Sequence, residues 1–197
     1  GELIYENLAI QTNIIDAAYK TKVKKLLFFA SSCVYPRNSP QPMKEKNLLM
    51  GPLESTNEPF AIAKIAGIKI CQAYNKQYGT NFISVIPATV FGPNDDFDFK
   101  TSHVISVLIR KFHEAKIKKR SKVTVWGTGR PRREFIYVDD LADACIFLMQ
   151  HYDSSEPINV GTGLEISIRQ LSQLIKEVIG FKGRIKFDNN KPDGVFR

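Results

Sequence analysis

The sequence predicts an α/β fold in which a parallel sheet carries helices on both faces. Three observations predict it. The continuous apolar run Leu26–Ala30, with a helix before it, reads as a buried parallel strand, and Phe82–Val90 is a second strand-like run. The segments 3–20, 59–78 and 103–115 repeat their apolar residues at helical spacing. Glycine and proline clusters punctuate the junctions, so strand and helix alternate as in βαβ units.

The elements follow in order. Residues 3–20 carry Leu3, Leu8, Ile14, Ile15 and Ala18 at helical positions. Lys24 and Lys25 then lead into the strand 26–30, which ends in Ser31-Ser32-Cys33. Residues 36–58 are rich in Pro, Asn and Gly and read as a long loop, a feature usually tied to function. Pro59 opens a helix over 59–78 and Gly79 stops it. One strand is expected over 82–90, broken by Gly92-Pro93-Asn94-Asp95-Asp96, and a helix from His103 to Ala115. Val123–Trp126 and Phe135–Val138 read as strands, with Asp139 or Asp140 capping a helix to about residue 151. Ile158–Val160 is a strand, Ser167 caps a helix to about 178, and 184–188 is a last short strand.

No glycine-rich phosphate loop occurs. The triplets Gly127-Thr128-Gly129 and Gly161-Thr162-Gly163 lack a third glycine and come late. The first segment is a helix with no strand before it. The N-terminal half of the sheet, roughly two βαβ units of about 30 residues each, is therefore expected to lie outside this chain.

The 197 residues include 28 basic and 20 acidic ones, for a formal charge of +8. Such a balance suits anionic partners: nucleic acid, anionic lipid or a phosphorylated small molecule. The charge gathers in residues 110–122 and at Arg130, Arg132 and Arg133, the first group reading as a solvated helix end and loop. No nucleic-acid-binding pattern accompanies it, so nucleic acid is not an expected partner. No apolar stretch is long enough to span a membrane, and no secretory leader is visible. Cys33, Cys71 and Cys145 are widely spaced with no CxxC, which fits neither a disulfide framework nor a zinc site. A reducing cytoplasm is the expected compartment and no metal is expected. Cys71 and Cys145 lie in apolar helical patterns and read as small core residues, whereas Cys33 ends a strand beside two serines.

Strand ends and helix ends are where α/β folds place reactive groups. Phe60 and Lys64 stand four apart on one helix face, at the spacing of the Tyr-x-x-x-Lys pair of short-chain dehydrogenases. In that pair the ammonium holds the cofactor ribose and lowers the phenol pKa, and the phenol gives a proton to the carbonyl oxygen under reduction. Alone, Phe-x-x-x-Lys carries no meaning. Its context is Ser31-Ser32-Cys33-Val34-Tyr35-Pro36, Thr56-Asn57-Glu58-Pro59, Ala61-Ile62-Ala63-Lys64, Ser102-His103-Val104-Ile105, Val125-Trp126-Gly127, Ile158–Gly163 and Lys191-Pro192-Asp193-Gly194. In these segments, and over essentially its whole length, the chain resembles the GDP-L-fucose synthases, which are extended short-chain dehydrogenase/reductases.

The resemblance implies a Rossmann-like doubly wound parallel sheet, its N-terminal part missing, and a smaller C-terminal α/β substrate-binding portion. Residues 1–95 would belong to the dinucleotide-binding domain and 96–197 mostly to the substrate portion, with 134–160 returning to the Rossmann sheet. It implies an NADP-dependent enzyme that epimerises GDP-4-keto-6-deoxy-D-mannose and reduces it to GDP-L-fucose. By position, Ser31 matches the serine that bonds the sugar C4 oxygen, Cys33 the epimerisation base and His103 the acid. Lys64 matches the cofactor lysine, and Phe60 stands where the catalytic tyrosine belongs. Phe29, Ala30, Ser31, Ser32, Lys64 and His103 match cofactor contacts. So do Pro87, Ala88, Thr89 and Val90, where the family often has Pro-Thr-Asn. Lys111, Trp126, Arg133 and Asp193 match GDP-sugar contacts; position 111 is more often arginine, so the bidentate fork is lost there. A homodimer through helices 3–20 and 59–78 is implied as well.

Phenylalanine fills the tyrosine's space and has no proton to give. The expectation is a site that binds but reduces slowly, with epimerisation through Cys33 and His103 retained. Tight NADP binding by this chain alone is not expected without the glycine-rich loop. Two other readings stay open: another nucleotide-sugar epimerase or dehydratase, against which Cys33 argues because those enzymes usually carry threonine there, and a catalytically inactive nucleotide-sugar-binding paralogue, which Phe60 favours.

Overall fold

Strand β1 (Leu26–Phe29) pairs in parallel with β2 (Phe82–Pro87), and β2 in turn with β6 (Ile158–Val160). The computed structural model describes residues 1–99, 101–191 and 193. The described chain falls into two compact units, Gly1–Val90 with Val138–Thr162 and Phe91–Tyr137 with the residues from Gly163 onward. Residues 91–95 and 134–137 thus lie in the second unit.

The first unit is built on the β1-β2-β6 sheet. Helices α1 (Glu2–Lys20) and α2 (Glu58–Tyr78) pack against each other beside it. Gln11, only 6% exposed, donates its side-chain amide to the Ala63 carbonyl at 2.6 Å and ties the two helices together. Tyr19, Tyr74 and Tyr78 stack at their far end, with Tyr19 and Tyr78 ring centroids 4.2 Å apart. Ile15, Val34, Ile68, Cys71, Phe82 and Ile86 form the core beneath. Helix α4 (Val138–His151) covers Ile83 and Val85 through Leu148.

Gly67 sets how closely α2 approaches β1, because a Cβ there would enter the Phe28 ring. Gly67→Ala should gain roughly 1 kcal/mol of helix propensity and lose about 1–3 kcal/mol to overpacking. The expected result is a net loss, read as a lower urea midpoint with unchanged slope; a higher midpoint would contradict the packing.

In the second unit, β4 (Lys122–Trp126) pairs in parallel with β8 (Arg184–Asp188). Strand β5 (Arg132–Tyr137) lies between β3 (Thr89–Phe91) and β7 (Glu165–Ser167), and its pairing with β7 is antiparallel. Helices α3 (Val104–Ile117) and α5 (Ile168–Ile179) bury Leu108, Phe112, Leu171 and Ile175 against Val123, Val125 and Phe181. Ser167 caps α5 in a full capping box with Gln170.

The structure differs from the sequence expectations in five places. The run 82–90 is two strands in two sheets, β2 beside β1 and β6 and β3 beside β5, with Ala88, whose N–H still bonds the Val160 carbonyl at 2.9 Å, between them. Asp139 and Asp140 do not cap α4; they lie in its first turn, where carboxylates favour the positive end of the helix dipole. Pro59 is the second residue of α2, after Glu58. The long loop before α2 holds a 3-10 turn at Glu45–Asn47, and β7 pairs antiparallel with β5, unlike the parallel β1–β2, β2–β6 and β4–β8 pairs. No helix among the described residues is long and apolar enough to cross a membrane.

Candidate functional site

The carboxyl end of β1 gathers the first group of residues. The Ala30 N–H donates to the Val85 carbonyl at 2.8 Å, which keeps the chain in the sheet for one residue past β1. Ser31 then caps a 3-10 turn, Ser32–Val34, its Oγ accepting from the Cys33 N–H at 3.5 Å. A serine fits because its short side chain can reach the second N–H of a turn. Cys33 is half-buried in this turn. Burial pushes its thiol above the ordinary value, while the hydrogen bond with Ser31 and the charge of Lys64 pull the other way.

Helix α2 brings Lys64 to the same strand end. Its Nζ donates to the Phe29 carbonyl at 3.2 Å and sits 5.3 Å from the Phe28 ring centroid and 5.5 Å from that of Phe60. Burial lowers the Lys64 pKa and the neighbouring Cys33 raises it. Phe60 is half-buried. It therefore offers the ammonium a ring face in place of a phenol oxygen. Tyr35, two residues beyond Cys33, does not replace that phenol. Its hydroxyl donates to Asn159 Oδ1 at 2.6 Å, and burial pushes it up to about 12. Pro87 closes β2 opposite Val160, and Ala88, Thr89 and Val90 follow, all half-buried.

The second unit gathers another group. His103 is exposed at the N-cap of α3, its carbonyl accepting from the Val107 N–H at 3.1 Å. Lys111, one face of α3 further on, reaches Trp126 on β4, with Nζ 5.4 Å from the ring centroid. Both line a cleft of about 590 Å³ together with Phe99, Glu114, Arg120 and Lys122. Glu114 does not neutralise Lys111, since Arg110 and Lys118 hold its carboxylate at 2.9 and 2.8 Å. The hydrogen bond that Lys111 makes is to the Thr124 carbonyl at 3.5 Å, and burial lowers its pKa. The cleft is thus cationic with an aromatic wall, 58% of Trp126 being exposed.

Asp193 accepts from the Thr128 N–H at 2.5 Å and the Thr128 hydroxyl at 2.8 Å. Those bonds brace the turn after Trp126. Gly127 has φ +77° and no room for a Cβ beside Asp193, so the turn needs glycine on both counts. Arg133 lies on β5, donates to the Arg132 carbonyl at 2.7 Å, and has its pKa lowered by burial. Pro192 and Gly194 of the same motif lie outside the described residues.

The first unit thus brings together Phe29, Ser31, Cys33, Phe60 and Lys64; the second brings together Lys111 and Trp126. Cys33 and His103 belong to different units. The sequence reading missed Lys191, whose Nζ is 5.6 Å from the Trp126 ring centroid. Its position two residues from Asp193 was the available signal.

A parallel sheet flanked by helices, with a serine, a cysteine and a lysine at one strand's carboxyl end, defines a doubly wound α/β protein of the Rossmann type. Residues 1–161 match the NAD dependent epimerase/dehydratase family, and the chain belongs to that family. It is 56% identical over its full length to the probable GDP-L-fucose synthase 1 of Oryza sativa subsp. japonica, covering 60% of that protein. It is 54% identical to the GDP-L-fucose synthase of Sinorhizobium fredii, again over its full length and 63% of the relative. The NADP-bound GDP-L-fucose synthetase from Naegleria fowleri superposes with a TM-score of 0.92 at 34% identity, over 96% of this chain and 61% of that one. The chain spans about three fifths of the length of the curated relatives it matches.

Proposed function

We propose that this chain carries the substrate site and epimerase chemistry of an NADP-dependent epimerase/reductase acting on GDP-4-keto-6-deoxy-D-mannose, with reduction impaired at Phe60. The observation that carries the reading is the Ser31–Cys33 turn beside Lys64, with a ring but no phenol at position 60. Epimerisation next to a ketone removes a proton from one face and returns one to the other, so it needs two groups. In this reading the Cys33 thiolate takes the proton from C3 or C5 and ends as a thiol. His103 returns a proton from the opposite face. Ser31 keeps its hydroxyl proton throughout: once Cys33 has become a thiol, the hydroxyl that had been bonded to its sulfur turns to hydrogen-bond the enolate oxygen at C4.

The residues present fit the ribose and nicotinamide end of NADP(H). Lys64 is held at the strand end by one bond and has two further N–H groups for ribose hydroxyls. In this reading Phe29, Ala30, Ser31, Ser32, Pro87, Ala88, Thr89, Val90 and His103 are the further cofactor contacts. Bound there, the cofactor would supply the hydride for reduction at C4. Residues 1–95 with 134–160 are assigned to the dinucleotide and the rest to the GDP-sugar. Lys111 and Arg133 would bind the diphosphate, Trp126 the base or ribose, and Asp193 would orient the 127–129 turn or meet the sugar.

A homodimer through helices 3–20 and 59–78 goes with this reading, supported by the exposed Leu3, Tyr5, Ile10, Ile14 and Ile62 on α1 and α2. A cytoplasmic location is supported by three unpaired cysteines. The test is deuterium uptake from D2O at C3 and C5 of 4-keto-6-deoxy sugars linked to GDP, UDP or dTDP. Uptake with the GDP sugar alone is expected. Equal uptake with a UDP or dTDP sugar would favour another nucleotide-sugar epimerase, and GDP binding by calorimetry with no uptake a non-catalytic binding protein, the reading that Phe60 favours.

A further inference from the structure

Three groups from residues 35–45 meet one residue far along the chain, Asn159 on β6, two at its side chain and one at its backbone. Its Oδ1 accepts from the Tyr35 hydroxyl at 2.6 Å, and its Nδ2 donates to the Met43 carbonyl at 3.0 Å. Its backbone N–H donates to Glu45 Oε1 at 2.8 Å. Tyr35 is only 4% exposed, and Val34 beside it is fully buried. Asn159 itself is fixed in the sheet, paired with Ile86 of β2. The chain after Cys33 is thus bolted to β6 at Tyr35, just before the long loop, and again within the loop at Met43 and Glu45. Cys33 sits in the turn between this bolt and β1. Within the turn, the Val34 and Tyr35 N–H groups donate to the Ser31 and Ser32 carbonyls at 3.1 and 3.3 Å, and the Cys33 N–H to Ser31 Oγ at a long 3.5 Å; these bonds shape the turn but do not fasten it to the sheet.

We infer that Asn159 and Tyr35, with Glu45, are positioning residues that hold the Cys33 turn in place, so that the thiol is aimed without having to be ordered during the reaction. This rests on the proposed role of Cys33. An asparagine suits the task because one short side chain both accepts and donates, and so joins a hydroxyl and a carbonyl that approach from one loop. Tyr35 supplies the hydroxyl on a rigid buried ring. Apolar residues at 159 would leave the Tyr35 hydroxyl and the Met43 carbonyl unpaired where water has little access.

The experiment compares Tyr35→Phe and Asn159→Ala with the parent protein by two readouts. Glu54→Gln is the control, since it removes the Arg37–Glu54 ion pair of the same loop without touching the network. The first readout is alkylation of Cys33 by iodoacetamide against pH, which needs no substrate. Lys64 from α2 and Ser31 are the groups that act on this thiol, and neither is altered. Loosening the turn admits water, so the pH midpoint should fall toward that of an ordinary thiol in both variants and stay put in Glu54→Gln. The second readout is deuterium exchange into the GDP-linked keto sugar, where kcat should drop roughly tenfold to a hundredfold with KM unchanged. Tyr35→Phe keeps the ring volume and decides the matter if circular dichroism shows that Asn159→Ala does not fold. Unchanged midpoints and unchanged kcat in Tyr35→Phe would overturn the inference. If the parent shows no exchange, the proposed function fails while the alkylation readout still judges the positioning.

Discussion

Phe60→Tyr is expected to raise the rate of C4 reduction by about 10²–10⁴-fold, the usual contribution of a positioned general acid. Phe60 already has the place such a phenol needs. It is half-buried, four residues before Lys64 on α2, with the Lys64 ammonium 5.5 Å from its ring centroid. Adding one hydroxyl to that ring leaves the core cluster beneath β1 untouched, so stability should change little. The same ammonium would favour the phenolate and lower the tyrosine pKa. The variant should therefore acquire an ionisation in its rate profile below the ordinary tyrosine value, which the Phe60 protein lacks. Single-turnover NADPH oxidation measures both effects. Equal rates and superimposable pH profiles would overturn the role given to position 60.

Cys33→Ala should lower proton exchange at C3 and C5 by a similar factor of about 10²–10⁴, because it removes the base and leaves no other thiol in the turn. The pH profile of the parent carries the sign. Thiolate is the active form, and burial holds the Cys33 thiol above its ordinary value. Exchange should therefore keep rising with pH through and beyond the ordinary thiol range. A profile that levels off near neutrality would show that Lys64 outweighs burial. Cys33→Ala should leave GDP binding to the Lys111–Trp126 cleft unchanged, since those residues lie in the second unit.

The parts of the fold that were legible in the sequence are those whose signal is local. Leu26–Phe29 announces a strand through its own residues, though only Phe28 of it is buried and Phe29 is exposed, and Ser167 with Gln170 announces a helix start within one turn. Strand β7 was not legible, because Glu165-Ile166-Ser167 is too short to show a period and exists only by pairing with β5. The break after Pro87 was hidden because the mostly apolar, strand-like run goes on past it from Phe82 to Val90, and such composition does not mark a change of sheet. The site divides the same way. Ser31, Cys33, Phe60 and Lys64 stand in recognisable short segments. Tyr35 and Asn159 are 124 residues apart, and no local pattern predicts that an asparagine in a strand meets that particular hydroxyl. Lys191 joins Trp126 by the same kind of long-range approach.

The central claim is that this chain retains epimerisation while lacking the acid for reduction. One measurement tests it: the protein with Phe60 in place, GDP-4-keto-6-deoxy-D-mannose and NADPH in D2O, followed by NMR. Deuterium is expected to accumulate at C3 and C5 of the keto sugar well before the C4-reduced sugar forms. Formation of the reduced sugar as fast as the exchange, or no exchange at all, would contradict it.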